Sequence, residues 1–178
     1  MITHILIAGR PGIGKTTFIK MIIAEIKKLR PSWTLNGFYT NEIRENKRRI
    51  GFAIYTLDGQ EGILASLKES QFTSKLRVGK YSVYITDLEK MVVPLLYKGA
   101  DLLLIDELGK MELLSKKFRE AIKYAFDNTP RIVATIPYYE NSFLSTIKNR
   151  PNIKIKNLTR ENRAELYVHV VQSILGNH

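Results

Sequence analysis

The chain has no cysteine among its 178 residues, which rules out disulfides and thiolate metal ligands and fits a reducing cytoplasm. No apolar run approaches the ~20 residues that cross a bilayer. No basic segment followed by a long apolar run opens the sequence, so no signal peptide is visible. Internal repeats, low-complexity tracts and interdomain linkers are also missing, and the expectation is one domain over residues 1–178. Acids are scarce: 17 Asp and Glu against 28 Lys and Arg give a formal charge of +11. Such a surplus suits a polyanionic partner, either nucleic acid or a triphosphate tail. The bases are scattered, at Lys27, Lys28 and Arg30, at Lys47, Arg48 and Arg49, at Lys116, Lys117 and Arg119, and from Lys148 to Lys156. No aromatic-flanked basic motif joins them. The rest is ordinary for a globular chain, 44% hydrophobic and 25% charged, with enough length for a sizeable core.

What is present starts at Gly9-Arg10-Pro11-Gly12-Ile13-Gly14-Lys15-Thr16, which fits G-x-x-x-x-G-K-[ST] at every fixed position. Ile5 to Ala8 before it is a short apolar run of the buried-strand kind, and Thr17 to Leu29 after it reads as a helix. A strand, this loop and a helix make a cradle of inward-facing N–H groups, strengthened by the positive end of the helix dipole. Gly9 to Thr17 are then expected to bind the phosphates of a nucleotide. Lys15 supplies charge to the β- and γ-phosphates, and Thr16 a hydroxyl to Mg²⁺.

Helix one is expected from Lys15 to Arg30, with Phe18, Ile22, Ile26 and Leu29 on one stripe and Pro31 ending it. Leu35 to Ile43, Arg49 to Leu57 and Glu61 to Ser66 read as antiparallel strands, an insert at about 35–66. Charged residues 44–48 are expected as the first hairpin loop and Asp58-Gly59 as the second turn. Val83 to Ile85 reads as a short strand, with Thr86 capping a helix through Lys98 that Pro94 should kink or split. Strands are expected at Leu102 to Ile105, Arg131 to Ile136 and Ile153 to Ile155. Helices are expected from Ser115, from Asn141, and from a Thr159 cap to about Leu175. The alternation predicts an α/β, three-layer P-loop fold with a mostly parallel, RecA-like sheet carrying an antiparallel hairpin insert.

Hydrolysis needs a metal anchor and a group that handles water. Asp106 and Glu107 follow four apolar residues, where a strand leaves the sheet and ligands bind in α/β folds. Asp106 is placed to reach Mg²⁺, and Glu107 to take a proton from the attacking water. A glutamate directly after the metal aspartate goes with an extra strand between the loop strand and the aspartate strand. Arg131 to Thr135 would be that strand, with the Thr135 hydroxyl near the γ-phosphate or the water. Arg10, Lys110, Arg160 and Arg163 are candidate stabilisers of transition-state charge. Glu112 reads as an ordinary first-turn helix acid.

These residues resemble the small nucleoside-triphosphatases first typed in thermophiles, which include the vertebrate cancer-related nucleoside-triphosphatase. The matching stretches are Gly9 to Thr17, Gly37 to Thr40, Glu61 to Ser66, Val78 to Tyr81, Asp106 to Glu112 and Thr159 to Arg163. The run after Asp106 is the most specific. Asn41 stands where the family would place an acid. The resemblance implies slow, Mg²⁺-dependent hydrolysis of ATP, GTP and other nucleoside triphosphates by a compact RecA-like domain. Broad base tolerance agrees with the lack of an Asn-Lys-x-Asp guanine reader. The expected partners are nucleoside triphosphates, with no membrane and no obligate second chain, so a cytoplasmic monomer. Two other activities use the same loop. One is a nucleoside, nucleotide or RNA kinase, with Gly79-Lys80-Tyr81 lining an acceptor pocket and Thr159 to Arg163 as a lid. The other is a nucleotide-gated switch that binds nucleic acid.

Overall fold

Strands without a polar face need cover on both sides, and strands of that type form the middle of this fold. The computed structural model describes residues 4–67 and 74–176. The chain runs β1 (His4–Ala8), α1 (Lys15–Leu29), β2 (Leu35–Glu45), β3 (Arg48–Thr56), β4 (Glu61–Ser66), β5 (Arg77–Val78) and β6 (Tyr81–Val83). A composite helix follows: α2 (Ile85–Asp87), a π-helical turn (Leu88–Val92) and α3 (Val93–Lys98). Next come β7 (Leu102–Asp106), a 3₁₀ turn (Glu112–Leu114), α4 (Lys116–Asn128) and β8 (Ile132–Ile136). The described chain ends with α5 (Ser142–Lys148), β9 (Ile153–Asn157) and α6 (Arg163–Leu175).

The nine strands among the described residues join one sheet in the order β5-β6-β4-β3-β2-β7-β8-β1-β9. From β2 to β9 the pairing is parallel. From β2 outward to β5 it is antiparallel, so the insert extends the same sheet. β8 lies between β1 and β7, as the acid pair had indicated. Strand residues alternate between two cores. Ile5, Ile7, Leu102, Leu104 and Val133 pack with Phe18, Ile22 and Ile26 of α1 and Leu166 and Val170 of α6. Leu6, Leu103, Ile105, Ile132 and Ala134 pack on the opposite side with Leu96 of α3 and Phe118 and Ile122 of α4. Helices on both faces of a mostly parallel sheet make the expected α/β architecture.

Local departures have local causes. The stripe on α1 fails at Leu29, which is 38% exposed in the last turn before Pro31, while Ile19 and Ile23 join the core. The charged link after Ile43 is mostly strand, because pairing continues to Glu45 opposite Arg48. Asn46 (φ 47°) and Lys47 (φ 65°) alone make the turn. Two left-handed residues match the strand twist better than a longer loop. Glu42 ties the hairpin, taking bonds from Arg44 at 2.5 Å and Arg49 at 2.8 Å. Thr86 is no cap: its helix starts earlier, after Tyr84. The helix is split just ahead of Pro94, which sits in the first turn of α3 directly after the π-helical turn, where its missing N–H costs little. Thr159 makes its capping bonds just ahead of α6. Its amide donates to Asn162 Oδ1 at 2.9 Å and its hydroxyl accepts from the Asn162 amide at 3.2 Å, a reciprocal pair of the capping-box kind, and α6 runs from Arg163. No helix among the described residues is long and apolar enough to cross a membrane.

Candidate active site

The loop between β1 and α1 turns on left-handed backbone at Gly12 (φ 76°) and Gly14 (φ 93°). A side chain at Gly14 would also strike the Arg163 guanidinium, whose nearest nitrogen lies 2.8 Å from where its Cβ would be. No side chain caps α1, so its first N–H groups remain open to an anion. Lys15 is buried at the first position of that helix. Its ammonium donates to the Gly9 carbonyl at 2.9 Å and pairs with Glu107 at 3.3 Å.

β7 delivers Asp106 to the same place from two strands away. Thr16 Oγ1 donates to Asp106 Oδ2 at 2.5 Å, across 90 residues of sequence. Thr135 Oγ1, at the end of the intervening β8, donates to Asp106 Oδ1 at 2.6 Å. Burial pushes the Asp106 carboxyl above its usual range, against the two hydroxyl bonds and the nearby Lys15 charge. Glu107 is raised mainly by burial as well, with Lys15 opposing and Asp106 reinforcing the shift. Beyond them Glu112, buried at the start of the 3₁₀ turn, is pushed up to about 8. Desolvation leads, and the charges of Glu107 and Asp106 add to it. Gly109 lies in the seam between these carboxylates: a Cβ there would sit 2.7 Å from Glu112 Oε2 and 3.0 Å from Glu107 Oε1.

Other sequence-predicted residues take different places. Thr135 is fully buried and donates its hydroxyl to Asp106, which orients that carboxylate. Arg163 donates to the Ile13 carbonyl and braces the loop from α6. Arg10 and Arg160 are exposed and line a cleft of about 460 Å³ with Pro11, Gly12, Ile13 and Tyr138. Lys110 is exposed with its ammonium 4.6 Å from the Tyr139 ring centre. Asn41 accepts from Lys20 at 3.3 Å, so the position expected to be acidic still faces a cation. Thr17 is exposed on the first turn of α1.

A family model described as NTPase matches residues 4–171. The chain belongs to this family. It is 45% identical over 176 residues to nucleoside-triphosphatase THEP1 of Thermotoga maritima, covering 97% of this chain and 96% of that protein. It is 34% identical to the cancer-related nucleoside-triphosphatase of Homo sapiens, over 98% of this chain and 97% of the relative. The crystal structure of THEP1 from Aquifex aeolicus superposes with a TM-score of 0.83 at 34% identity, covering 97% of this chain and 99% of that one.

In this member of the NTPase family, sequence reasoning passed over two residues beside the acids. Glu112 does open a helical turn, but it is far from ordinary there: it is 4% exposed. Its place in the run from Asp106, the most specific of the matching stretches, was the available signal. Tyr139 carried none. Its hydroxyl is buried without a hydrogen-bond partner among the described residues, and it lines a second cleft of about 580 Å³ shared with Glu107 and Glu112.

Proposed function

We propose that this chain, a nucleoside-triphosphatase by family, hydrolyses nucleoside triphosphates to diphosphate and phosphate through the Gly9–Thr17 loop, Asp106 and Glu107. The observation that carries the reading is the hydrogen bond from Thr16 to Asp106, which closes loop and acid into one site. Loop amides and the open start of α1 hold the phosphate oxygens. The Lys15 ammonium, held by Gly9 and Glu107, is the group for which an incoming triphosphate competes.

The donor set fits Mg²⁺. Thr16 and Asp106 offer a hydroxyl and a carboxylate 2.5 Å apart, both hard oxygen ligands. One or two protein oxygens plus substrate phosphates are the usual complement for that ion. Held there by Thr16 and Asp106, a Mg²⁺ ion would supply positive charge to the substrate's phosphates. Thr135 keeps Asp106 turned toward the loop.

Glu107 takes a proton from the attacking water. Burial raises its pKa, which makes it a stronger base than a free carboxylate. The rate should therefore fall on acidification, starting at a higher pH than for a free carboxylate. Arg10 and Arg160, exposed in the smaller cleft beside the loop, would offer charge to the leaving diphosphate. Stacking in the Tyr138 cleft would tolerate any base, in keeping with broad nucleotide use. The reading takes residues 1–178 as one catalytic unit, a cytoplasmic monomer. Glu107→Gln should keep nucleotide binding but slow turnover ~10²–10⁴-fold, or ~3–5 kcal/mol of barrier. Equilibrium binding and phosphate release measured side by side test this. Near-normal turnover removes Glu107 as the base.

A further inference from the structure

Hydrolysis requires room for one water beside Glu107, about 30 Å³ of liquid volume. The space that opens there is about 580 Å³, within the range of sites that hold a whole small ligand. It is not the nucleotide's own pocket. The cleft of about 460 Å³ lies against the loop on the β9–α6 side, whereas the larger one reaches toward β3, β4 and the β5–β6 hairpin. Pro11 borders both, so the phosphate loop lies between them. In-line transfer needs this arrangement, with the leaving diphosphate on one side of the γ-phosphorus and the nucleophile on the other.

The walls define what would fit. Phe52 and Tyr81 meet edge to face with ring centres 5.4 Å apart, and Tyr139 stands on the same cleft. Arg49 lies 5.1 Å from the Phe52 ring centre and Lys80 lies 5.7 Å from that of Tyr81. Lys110 sits over Tyr139. Aromatic faces flanked by cations suit a planar ring that carries an anionic group. The Tyr139 hydroxyl is a buried donor without a partner among the described residues, and such a group calls for a ligand oxygen.

We propose that this cleft is a second-substrate site for a nucleotide-like acceptor, whose hydroxyl takes the γ-phosphoryl group in competition with water. The proposal rests on Glu107 acting as base toward a loop-bound triphosphate. The hydroxyl proton passes to the Glu107 carboxylate and then to solvent. The acceptor oxygen bonds to the γ-phosphorus as the bond to the β–γ bridging oxygen breaks. The nucleoside diphosphate leaves with that electron pair.

The four nucleoside 3′-monophosphates are suitable probes, since each has a flat ring, an anion and a free primary hydroxyl. The protein is incubated with Mg²⁺ and γ-labelled ATP, with and without each probe, and the products are separated by chromatography. Label in a bisphosphate, growing with probe concentration at the expense of labelled inorganic phosphate, is the expected result. Lys80→Glu, on an exposed hairpin, should lower the ratio of labelled acceptor to labelled phosphate about tenfold. Labelled phosphate as the sole product with every probe, whatever happens to its rate, overturns the proposal. An unchanged ratio in Lys80→Glu does the same. Failure of the hydrolase reading itself would appear separately, as no phosphate release without any probe.

Discussion

Glu112 is the residue whose surroundings depart furthest from its chemistry. A carboxyl that titrates near 8 inside the fold and near 4.5 outside it holds a proton in the native state that the unfolded chain has lost. Between those values the native state binds more protons, so stability falls as pH rises from about 4.5 to about 8, with the loss complete above that. Glu112→Gln keeps an acceptor oxygen and removes the titration. Its melting temperature should stay flatter than that of the parent protein, with the curves parting by ~5 °C or more by pH 9. Circular dichroism melts across that range check it, and parallel curves would show Glu112 ionised in the fold throughout. The neutral form also spares Glu107 and Asp106 a third negative charge in a confined space. Burial of Glu112 depends on packing from other parts of the chain, so the local sequence marks it only through its place in the run from Asp106.

At the scale of elements, β2 is the joint between the parallel and antiparallel parts of the sheet. Gly37, at φ 130°, lies opposite Leu104 in the β2–β7 register. A Cβ there would stand 1.9 Å from the Leu104 carbonyl oxygen, a backbone atom that cannot rotate away. Gly37→Ala should therefore cost several kcal/mol and push β2 from β7; we expect ~3 kcal/mol or more from urea unfolding. A change within ~0.5 kcal/mol would mean the strand shifts freely. The long elements were legible because their signals are local. The loop motif fixed β1 and α1, continuous apolar runs gave β7 and β8, and the Asp106-Glu107 pair placed β8 between its neighbours. The misses lie where a few residues decide. Asn46-Lys47 turns in two positions inside a charged stretch. β5 and β6 are too short to show a period, and with them the larger cleft stayed out of sight, though Gly79, Lys80 and Tyr81 had been marked as possible lining.

For the molecule as a whole, the charge of +11 acts as a field more than as a set of contacts. Several cations are paired at the surface, among them Lys117 with Glu89, Lys148 with Glu140 and Arg150 with Asp127. Such exposed pairs contribute ~0–1 kcal/mol each. The surplus should attract any polyanion weakly. RNA binding followed by fluorescence anisotropy should drop more than ~10-fold between about 50 and 200 mM salt. Phosphate release should stay within about twofold when RNA is added near physiological salt. An RNA-driven acceleration of an order of magnitude would instead favour the nucleotide-gated switch.

The brace from Arg163 to the Ile13 carbonyl has a consequence in time. The two residues are 150 positions apart, so a ribosome finishes the phosphate cradle long before it makes the guanidinium that steadies it. A nascent chain stalled before α6 should hold ATP poorly even with every cradle residue already outside the exit tunnel. Competence to bind nucleotide would then arrive late in synthesis, sparing half-made molecules from futile ATP turnover.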